Sequence, residues 1–351
     1  MTSYERVMAA AKGRMPDCVP VAPYMGNHGA RVTGTAISDY GTNGKVMAEA
    51  QLKAWEIYGQ DVLVPQSDNY YIAEGFGLKT RYPEDSTPVV TDLVVKELAD
   101  IYKLKVPDPY TDGRMHVYLE AIRLIKEKIG NEAAIRSPGT GSFSLAAHLI
   151  GTEEFLMNLA VASSDPDGEE YKAMRHLLEL SSDALIAFLK ACSLEGADIL
   201  TMGDSLASLD MISPQMYREW AWPYEQKVFK ALREFDAGHE IATLLHICGN
   251  MTPVLEEMAS SGPDLVEIDY KVDLRVAKQL IGSKVCLIGN LDPSSVLLYG
   301  SAADVAAASQ KCIDDAGAGG GFILGSGCEV AYYTPQANMK AMVATARKNR
   351  Y

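Results

Sequence analysis

Apolar residues along this chain fall into two kinds of segment that alternate. Short β-branched runs followed by Gly, Pro, Asp or Asn occur eight times, over residues 19–24, 61–66, 133–138, 197–202, 241–247, 265–270, 285–289 and 321–325. Several are apolar at every position instead of every other one, the pattern of parallel strands covered on both faces. Between them the apolar spacing follows the helical period, over residues 45–58, 116–129, 171–193, 214–235, 253–260, 274–281, 302–316 and 335–348. Eight alternations of strand and helix predict an α/β fold, a (β/α)8 TIM barrel, over a doubly wound open sheet. No G-x-G-x-x-G follows the first strand, which points the same way.

Local punctuation supports these elements. Ser213-Pro214 and Thr334-Pro335 each read as an N-cap followed by proline at the first helical position. Arg347, Lys348 and Arg350 close the last helix, where cations suit the dipole. Residues 1–16 predict an N-terminal helical extension before the barrel. The polar stretch 80–109, with Pro83, Pro88, Pro107 and Pro109, reads as a long excursion after the second strand. The whole chain, 1–351, is therefore expected to be one barrel domain.

Composition narrows the class. Lys plus Arg is 32 and Asp plus Glu is 46, a net charge of −14 with no basic tract. Such a surface does not neutralise a phosphate backbone, so no nucleic-acid partner is expected. No apolar run reaches the roughly 20 residues of a membrane span. The start, Met1-Thr-Ser-Tyr-Glu-Arg6, lacks the basic and apolar regions of a signal peptide. Six scattered cysteines, Cys18, Cys192, Cys248, Cys286, Cys312 and Cys328, fit a reducing compartment. A cytoplasmic protein with no membrane partner is the expectation.

Barrel enzymes place their chemistry at the C-terminal ends of the strands. The polar residues there are Asn27, His28 and Arg31, then Ser67, Asp68 and Asn69, then Arg136, the 139–143 loop and His148. Later strands end on Asp204 and Ser205, on His246, Cys248 and Asn250, on Glu267 and Asp269, on Asn290 and Asp292, and on Cys328 and Glu329. His246, Cys248 and Cys328 carry the strongest signal. Residues two apart on an extended segment point the same way, and two thiolates with an imidazole suit Zn²⁺ while leaving a coordination position open. A buried core pair is the competing reading of His-x-Cys, but glycines beside both cysteines favour loop positions. Glu267 or Asp269, about 20 residues beyond Cys248, is the candidate for a fourth, oxygen ligand. Asp68, Asp204 and Asp269 are candidate catalytic carboxylates, with helix capping as the alternative. Asn27, His28, Arg31, Arg136 and His148 are candidate substrate contacts. The 139–143 loop lacks the lysine of a nucleotide loop and reads as a tight turn. Tyr217, Trp220, Ala221 and Tyr224, at helical spacing, read as packing.

Taken in order, several motifs resemble the uroporphyrinogen decarboxylase superfamily over nearly the whole chain. They are Gly203-Asp204-Ser205, Ile212-Ser-Pro-Gln-Met-Tyr-Arg218, His246-Ile-Cys-Gly-Asn250, Gly289-Asn-Leu-Asp-Pro293, Gly321-Phe-Ile-Leu-Gly-Ser-Gly-Cys328 and Thr334-Pro-Gln-Ala-Asn338. The resemblance implies a (β/α)8 barrel, in agreement with the strand count. Decarboxylases of the superfamily carry an arginine-rich N-terminal motif, whereas residues 22–31 here contain only Arg31. The chain is similar instead to the branch of methylcobalamin:coenzyme M methyltransferases and related corrinoid-dependent methyltransferases. That branch is marked by a zinc-binding His-x-Cys and a distant Cys, and His246, Cys248 and Cys328 match it with 79 residues between the cysteines. The resemblance implies Zn²⁺, and a methylated or reduced corrinoid carried by a partner protein. It implies methyl transfer, foremost from methyl–cobalt(III) to a thiol such as coenzyme M. A donor-side enzyme of an O-demethylase or methylamine system, passing methyl to cobalt(I), uses the same ligands and stays open. So do a uroporphyrinogen decarboxylase-type lyase, with Asp68 at the pyrroles, and a non-catalytic metal-binding relative. Coenzyme M carries a sulfonate, for which Arg31 and Arg136 are the candidate partners.

Overall fold

A computed structural model describes every residue from Met1 to Tyr351. Its strands are β1 (Val62–Leu63), β2 (Lys79–Arg81), β3 (Val89–Asp92), β4 (Ala134–Ile135), β5 (Ile199–Gly203), β6 (Ala242–His246), β7 (Leu265–Glu267), β8 (Cys286–Leu291) and β9 (Phe322–Ser326). Strands β5 to β9 pair side by side in chain order, all parallel, and β1 pairs in parallel with β4. Isolated parallel bridges join Arg136 to Ile199, Thr140 to Gly203 and Val21 to Leu324. The Asp61 N–H donates to the Val21 carbonyl at 2.8 Å and completes the ring. With the segment around Val21, this is a (β/α)8 barrel. Strands β2 and β3 form an antiparallel hairpin in the excursion outside it.

Two departures from the expected strands share one cause. The 19–24 segment contributes a single bridge, and β1 and β4 are two residues long. Pro20, Pro23, Pro65 and Pro138 stand in or beside these segments and have no N–H to give to a ladder. Proline also breaks the helix expected over 214–235 into Pro214–Trp220 and Trp222–Arg233, because Pro223 falls in the first turn of the second piece. Ser213 caps the first piece, its Oγ accepting from the Met216 N–H at 3.2 Å. Thr334 is not a cap. The last helix is Gln336–Lys348 with Pro335 at the cap position, and the Thr334 hydroxyl makes no hydrogen bond. Helices Ser142–Ile150 and Thr152–Ser164 were not expected. The first is buried on almost every face, so its apolar residues carry no period to read.

The helix Ser3–Ala11 plugs the lower end of the barrel. Its Val7, Met8 and Ala10 pack on the inward residues Val62, Ile199, Leu244, Leu265 and Ile323. A second, larger core lies between the strands and the outer helices, and Tyr217, Trp220, Ala221 and Tyr224 are all buried in it. Cys18, Cys192, Cys286 and Cys312 are buried, Cys248 and Cys328 are partly exposed, and none is in a disulfide. No helix is long and apolar enough to cross a membrane.

The lower rim repeats one device. An aspartate stands immediately before β1, β5 and β7. Asp61 accepts from the Val21 N–H at 2.8 Å, Asp198 from Ile135 at 2.9 Å and Asp264 from Thr243 at 2.8 Å. Each carboxylate ties the start of its own strand to the strand before it. Each also holds a cation: Arg6 and Arg347 at Asp61, Lys126 at Asp198 and Lys12 at Asp264. Asp61 thereby clamps the first and last helices to the barrel.

Asp61→Ala strands two guanidinium groups and a backbone N–H, so a loss of about 3 kcal/mol in stability is expected. Chemical denaturation measures it, and a loss of well under about 1 kcal/mol would remove Asp61 as a clamp. A second prediction concerns pH. Glu225 is fully buried, with Oε2 accepting from the Tyr217 hydroxyl at 2.8 Å and Oε1 unpaired. Burial pushes its carboxyl up from 4.5 to about 8. The folded protein therefore keeps a proton that the unfolded chain gives up. The resulting stability is complete below about 4.5 and is lost as pH rises toward about 8. Glu225→Gln is expected to leave Tm little changed at pH 5 and to raise it at pH 8.5. An equal shift at both values would contradict the buried protonated carboxyl.

Candidate metal centre and active site

His246 is the last residue of β6, Cys248 lies two positions further on, and Cys328 lies two positions past the end of β9. Both strand ends open at the upper mouth of the barrel. The chain turns sharply after Cys248 at Gly249, whose φ is +92° and where a Cβ would meet Ser208 Oγ at 2.5 Å. Asp269 Oδ2 accepts from the Gly249 N–H at 2.9 Å and holds that turn. His246 Nε2 lies 3.3 Å from Cys248 Sγ, and the two sulfurs are 3.7 Å apart. All three donor atoms fall within 4.8 Å of one another. Zinc–sulfur bonds of about 2.3 Å at tetrahedral angles place two sulfurs about 3.8 Å apart, so the donor set fits zinc. The electrostatics agree. A hydrogen bond from Cys328, together with the charge of His246, pulls the Cys248 thiol well below its ordinary value. The Cys248 thiolate in turn pushes the Cys328 thiol far up. A divalent cation relieves that conflict by stabilising both thiolates.

Behind the imidazole stands a buried ion pair. His246 Nδ1 is 3.2 Å from Glu267 Oε2, and Arg136 grips the same carboxylate through two bonds of 2.6 and 2.9 Å. The guanidinium also donates to Thr201 Oγ1 at 3.2 Å and lies 4.5 Å from the Tyr24 ring centroid. The Nδ1 hydrogen-bond partner is the Glu267 backbone carbonyl at 3.3 Å, with the carboxylate beside it as a charge contact, so Glu267 faces the ring nitrogen turned away from the sulfurs through both groups. It stands outside the three-donor cluster, so as a fourth ligand it is displaced by its bonds to Arg136. Burial alone would lower the imidazole's pKa, but Cys248 and Glu267 together outweigh it and raise it to about 9.

A cavity of about 100 Å³ opens beside the cluster, lined by Tyr24, Gln66, Asn69, Ser205 and Glu329 among others. Ser205 Oγ sits 3.3 Å from Cys248 Sγ. Glu329 Oε1 accepts from the backbone and side chain of Asn27 at 3.0 and 3.1 Å, and burial pushes its carboxyl up to about 7. Tyr24 and Gln66 were not singled out from the sequence. Each is the last residue of an expected strand, and that position was the signal. A larger groove of about 650 Å³ lies at the lower rim beside Lys12, Arg233 and Asp264. No residue of the His–Cys cluster reaches it, so it is not the chemical site.

Most of the other candidates are occupied elsewhere. Asp68 is bound by Arg114 at 2.9 and 3.0 Å, by Ser67 and Tyr118, and by the Tyr70 N–H, and it does not line the cavity. Burial would raise its pKa, but Arg114 outweighs burial and lowers it. Asp204 caps helix Ser142–Ile150 through the Phe143 and Ser144 N–H groups at 3.1 and 2.7 Å. That capping explains the tight 139–143 loop: a Cβ on Gly141 would meet Asp204 Cγ at 2.3 Å. Asp269 holds backbone, as described. His28 is buried between the Tyr332 carbonyl and the Tyr58 hydroxyl, and burial lowers its pKa. His148 packs against Tyr70 with Nδ1 unpaired, and burial lowers its pKa to about 4. Arg31 lies on the surface, 5.6 Å from the Tyr333 ring centroid. Asn27 reaches the site only through Glu329.

A family model described as uroporphyrinogen decarboxylase (URO-D) matches residues 2–349. The chain belongs to the uroporphyrinogen decarboxylase family. It is 37% identical over 264 residues to a protein of Methanosarcina acetivorans named methylcobamide:CoM methyltransferase MtbA, covering 75% of this chain and 72% of that one. It is 28% identical to methylcobamide:CoM methyltransferase MtaA of Methanosarcina barkeri, across 99% and 97% of the two chains. A solved structure titled methyltransferase from Methanosarcina mazei superposes with a TM-score of 0.88 at 27% identity, covering 99% of each chain. This member of the uroporphyrinogen decarboxylase family lies in the methyltransferase branch and is an enzyme.

Purified protein is expected to bind about one zinc per chain through its three donors. Cys248→Ala and Cys328→Ala should each lose the metal while keeping the circular dichroism of the parent. Glu267→Gln should weaken zinc binding by roughly tenfold, the cost of losing an orienting partner. Full zinc occupancy in both cysteine variants would sink the site.

Proposed function

We propose that this enzyme carries a methyl group from a methylated corrinoid, borne by a partner protein, to a small thiol bound beside His246, Cys248 and Cys328. The observation that carries the reading is the sulfur–sulfur distance of 3.7 Å in a His–Cys–Cys cluster at the barrel mouth. Zinc held by these three residues supplies a Lewis acid that brings a thiol to its reactive thiolate near neutral pH. The chain's own groups prepare the place. Arg136 and Glu267 fix the imidazole from behind. Asp269 fixes the turn that aims Cys248, and Ser205 stands within hydrogen-bonding reach of its sulfur. The substrate thiol gives up its proton to water before reaction. Its sulfur lone pair then forms the bond to methyl carbon as the cobalt–carbon bond breaks, and that electron pair leaves on cobalt(I). Attack in line requires the corrinoid to approach over the mouth, from the side opposite the plugged lower end. Coenzyme M is the thiol named for several relatives; the tail that this cavity accepts is decided by its charged groups. Six unpaired cysteines suit the reducing conditions of the cytoplasm.

Methylcobalamin mixed with the zinc-loaded protein and small thiols is expected to lose its methyl–cobalt absorbance as a thioether forms. Chelation should stop the reaction and added zinc should restore it. Turnover that survives complete zinc removal would overturn the proposal, and so would carbon dioxide release from uroporphyrinogen at a substantial rate.

A further inference from the structure

Each group near the mouth that would attract an anion is already satisfied by the chain itself. Of the two basic side chains that line the cavity, His246 is engaged by Glu267 and Cys248. Arg136 is the one arginine or lysine there. Its guanidinium is 3% exposed, and Glu267 takes two of its N–H groups at 2.6 and 2.9 Å. Its third contact is Thr201 and its face is covered by Tyr24. The N-terminus of helix Ser142–Ile150 opens toward the same mouth, and there the Asp204 carboxylate occupies the Phe143 and Ser144 N–H groups. Arg114 is committed to Asp68 and Glu74, and Arg31 lies outside on Tyr333.

The cavity offers instead a carboxyl oxygen. Glu329 lines it beside Cys328. Its Oε1 is held by Asn27, while its Oε2 makes no hydrogen bond. The other polar groups there, Gln66, Asn69 and Ser205, are neutral. Two cysteine thiolates already match the charge of a divalent ion, so a substrate thiolate makes the centre anionic. A second negative charge on the substrate would then sit among like charges with no free cation, and like-charge juxtaposition is strongly unfavourable in a buried site.

We propose that the thiol taken by this site has a neutral or cationic tail, and that the cavity discriminates against a sulfonate, with Glu329 Oε2 as the specificity-determining contact for an ammonium or hydroxyl donor. The inference rests on the thiol reading above and names the class of thiol.

Three thiols with the same two-carbon spacer test it: cysteamine, 2-mercaptoethanol and coenzyme M, which end in an ammonium, a hydroxyl and a sulfonate. Calorimetric titration of the zinc-loaded protein reads binding without methyl transfer, and methylcobalamin demethylation gives kcat/KM for each. Cysteamine is expected to bind best, with coenzyme M weaker than both others by roughly tenfold or more in both measurements. Glu329→Gln, checked for unchanged zinc content, should narrow the gap between cysteamine and coenzyme M by about tenfold. Coenzyme M binding as tightly as the other two would overturn the inference and leave the thiol reading standing. An unchanged gap in Glu329→Gln would remove Glu329 from the role. If none of the three thiols binds or accepts methyl, the thiol reading itself falls and the inference falls with it. The comparison of the three thiols on the parent protein does not depend on the variant.

Discussion

The buried pair between Arg136 and Glu267 is the interaction on which the mouth of this barrel depends. It reaches across the interior from the end of β4 to the end of β7, joining two residues 131 apart in the chain. Burying two charges is costly, and such a pair seldom adds net stability over an apolar substitute. What it adds here is direction. The carboxylate is held in one plane by two N–H groups and lies 3.2 Å from His246 Nδ1, whose hydrogen bond goes to the Glu267 carbonyl at 3.3 Å, so Nε2 is left to face Cys248. Tyr24 and Thr201 hold the guanidinium in turn. These contacts fix the imidazole that the three-donor cluster offers to a metal.

The lower rim is built on the same logic of carboxylates spent on the chain's own donors. Asp61, Asp198 and Asp264 each receive a strand N–H and a cation, and they tie together the first and second, third and fourth, and fifth and sixth barrel positions. At the upper rim Asp68, Asp204, Asp269 and Glu267 are committed in the same way. Much of the strongly acidic character of the chain near the barrel ends therefore serves architecture. An acidic side chain at a strand end is poor evidence for catalysis until its hydrogen-bond partners are known.

That is why the site was only partly legible in the sequence. His246, Cys248 and Cys328 stood out because few residue types ligate zinc, but a core pair stayed open on the residues alone and it was the family resemblance that favoured a metal site. The barrel was legible too, because parallel strands buried on both faces give continuous apolar runs. The acidic candidates were not, since capping and catalysis draw on the same residues at the same positions. Asp204 looks alike in sequence whether it points into the mouth or onto the Phe143 and Ser144 N–H groups. Only the folded chain shows the second. Arg136 carried a different ambiguity: an arginine at a strand end invites an anionic substrate until Glu267, far along the chain, is seen to satisfy it.

The two halves of the barrel also divide the work. Of the candidate metal ligands, His246 ends β6, while Cys248 and Cys328 stand two residues past β6 and β9; Glu267 ends β7, so all four are carried by the regular five-stranded sheet or the turns directly after it. Tyr24, Gln66 and Asn69 come from the first two barrel positions, where prolines leave a bridge and a two-residue strand. A metal needs donors fixed to a fraction of an ångström; the ladder holds His246 directly, and Cys248 is held through the Gly249 turn tied to Asp269. The lining that selects a small molecule needs shape and charge more than regularity. Loop segments interrupted by proline change sequence without disturbing a ladder, because they contribute so little to one. The division is not complete, because Ser205 and Glu329 line the same cavity from just past the ends of β5 and β9; the lining draws on both halves, so relatives that share the His–Cys–Cys cluster need not share an acceptor.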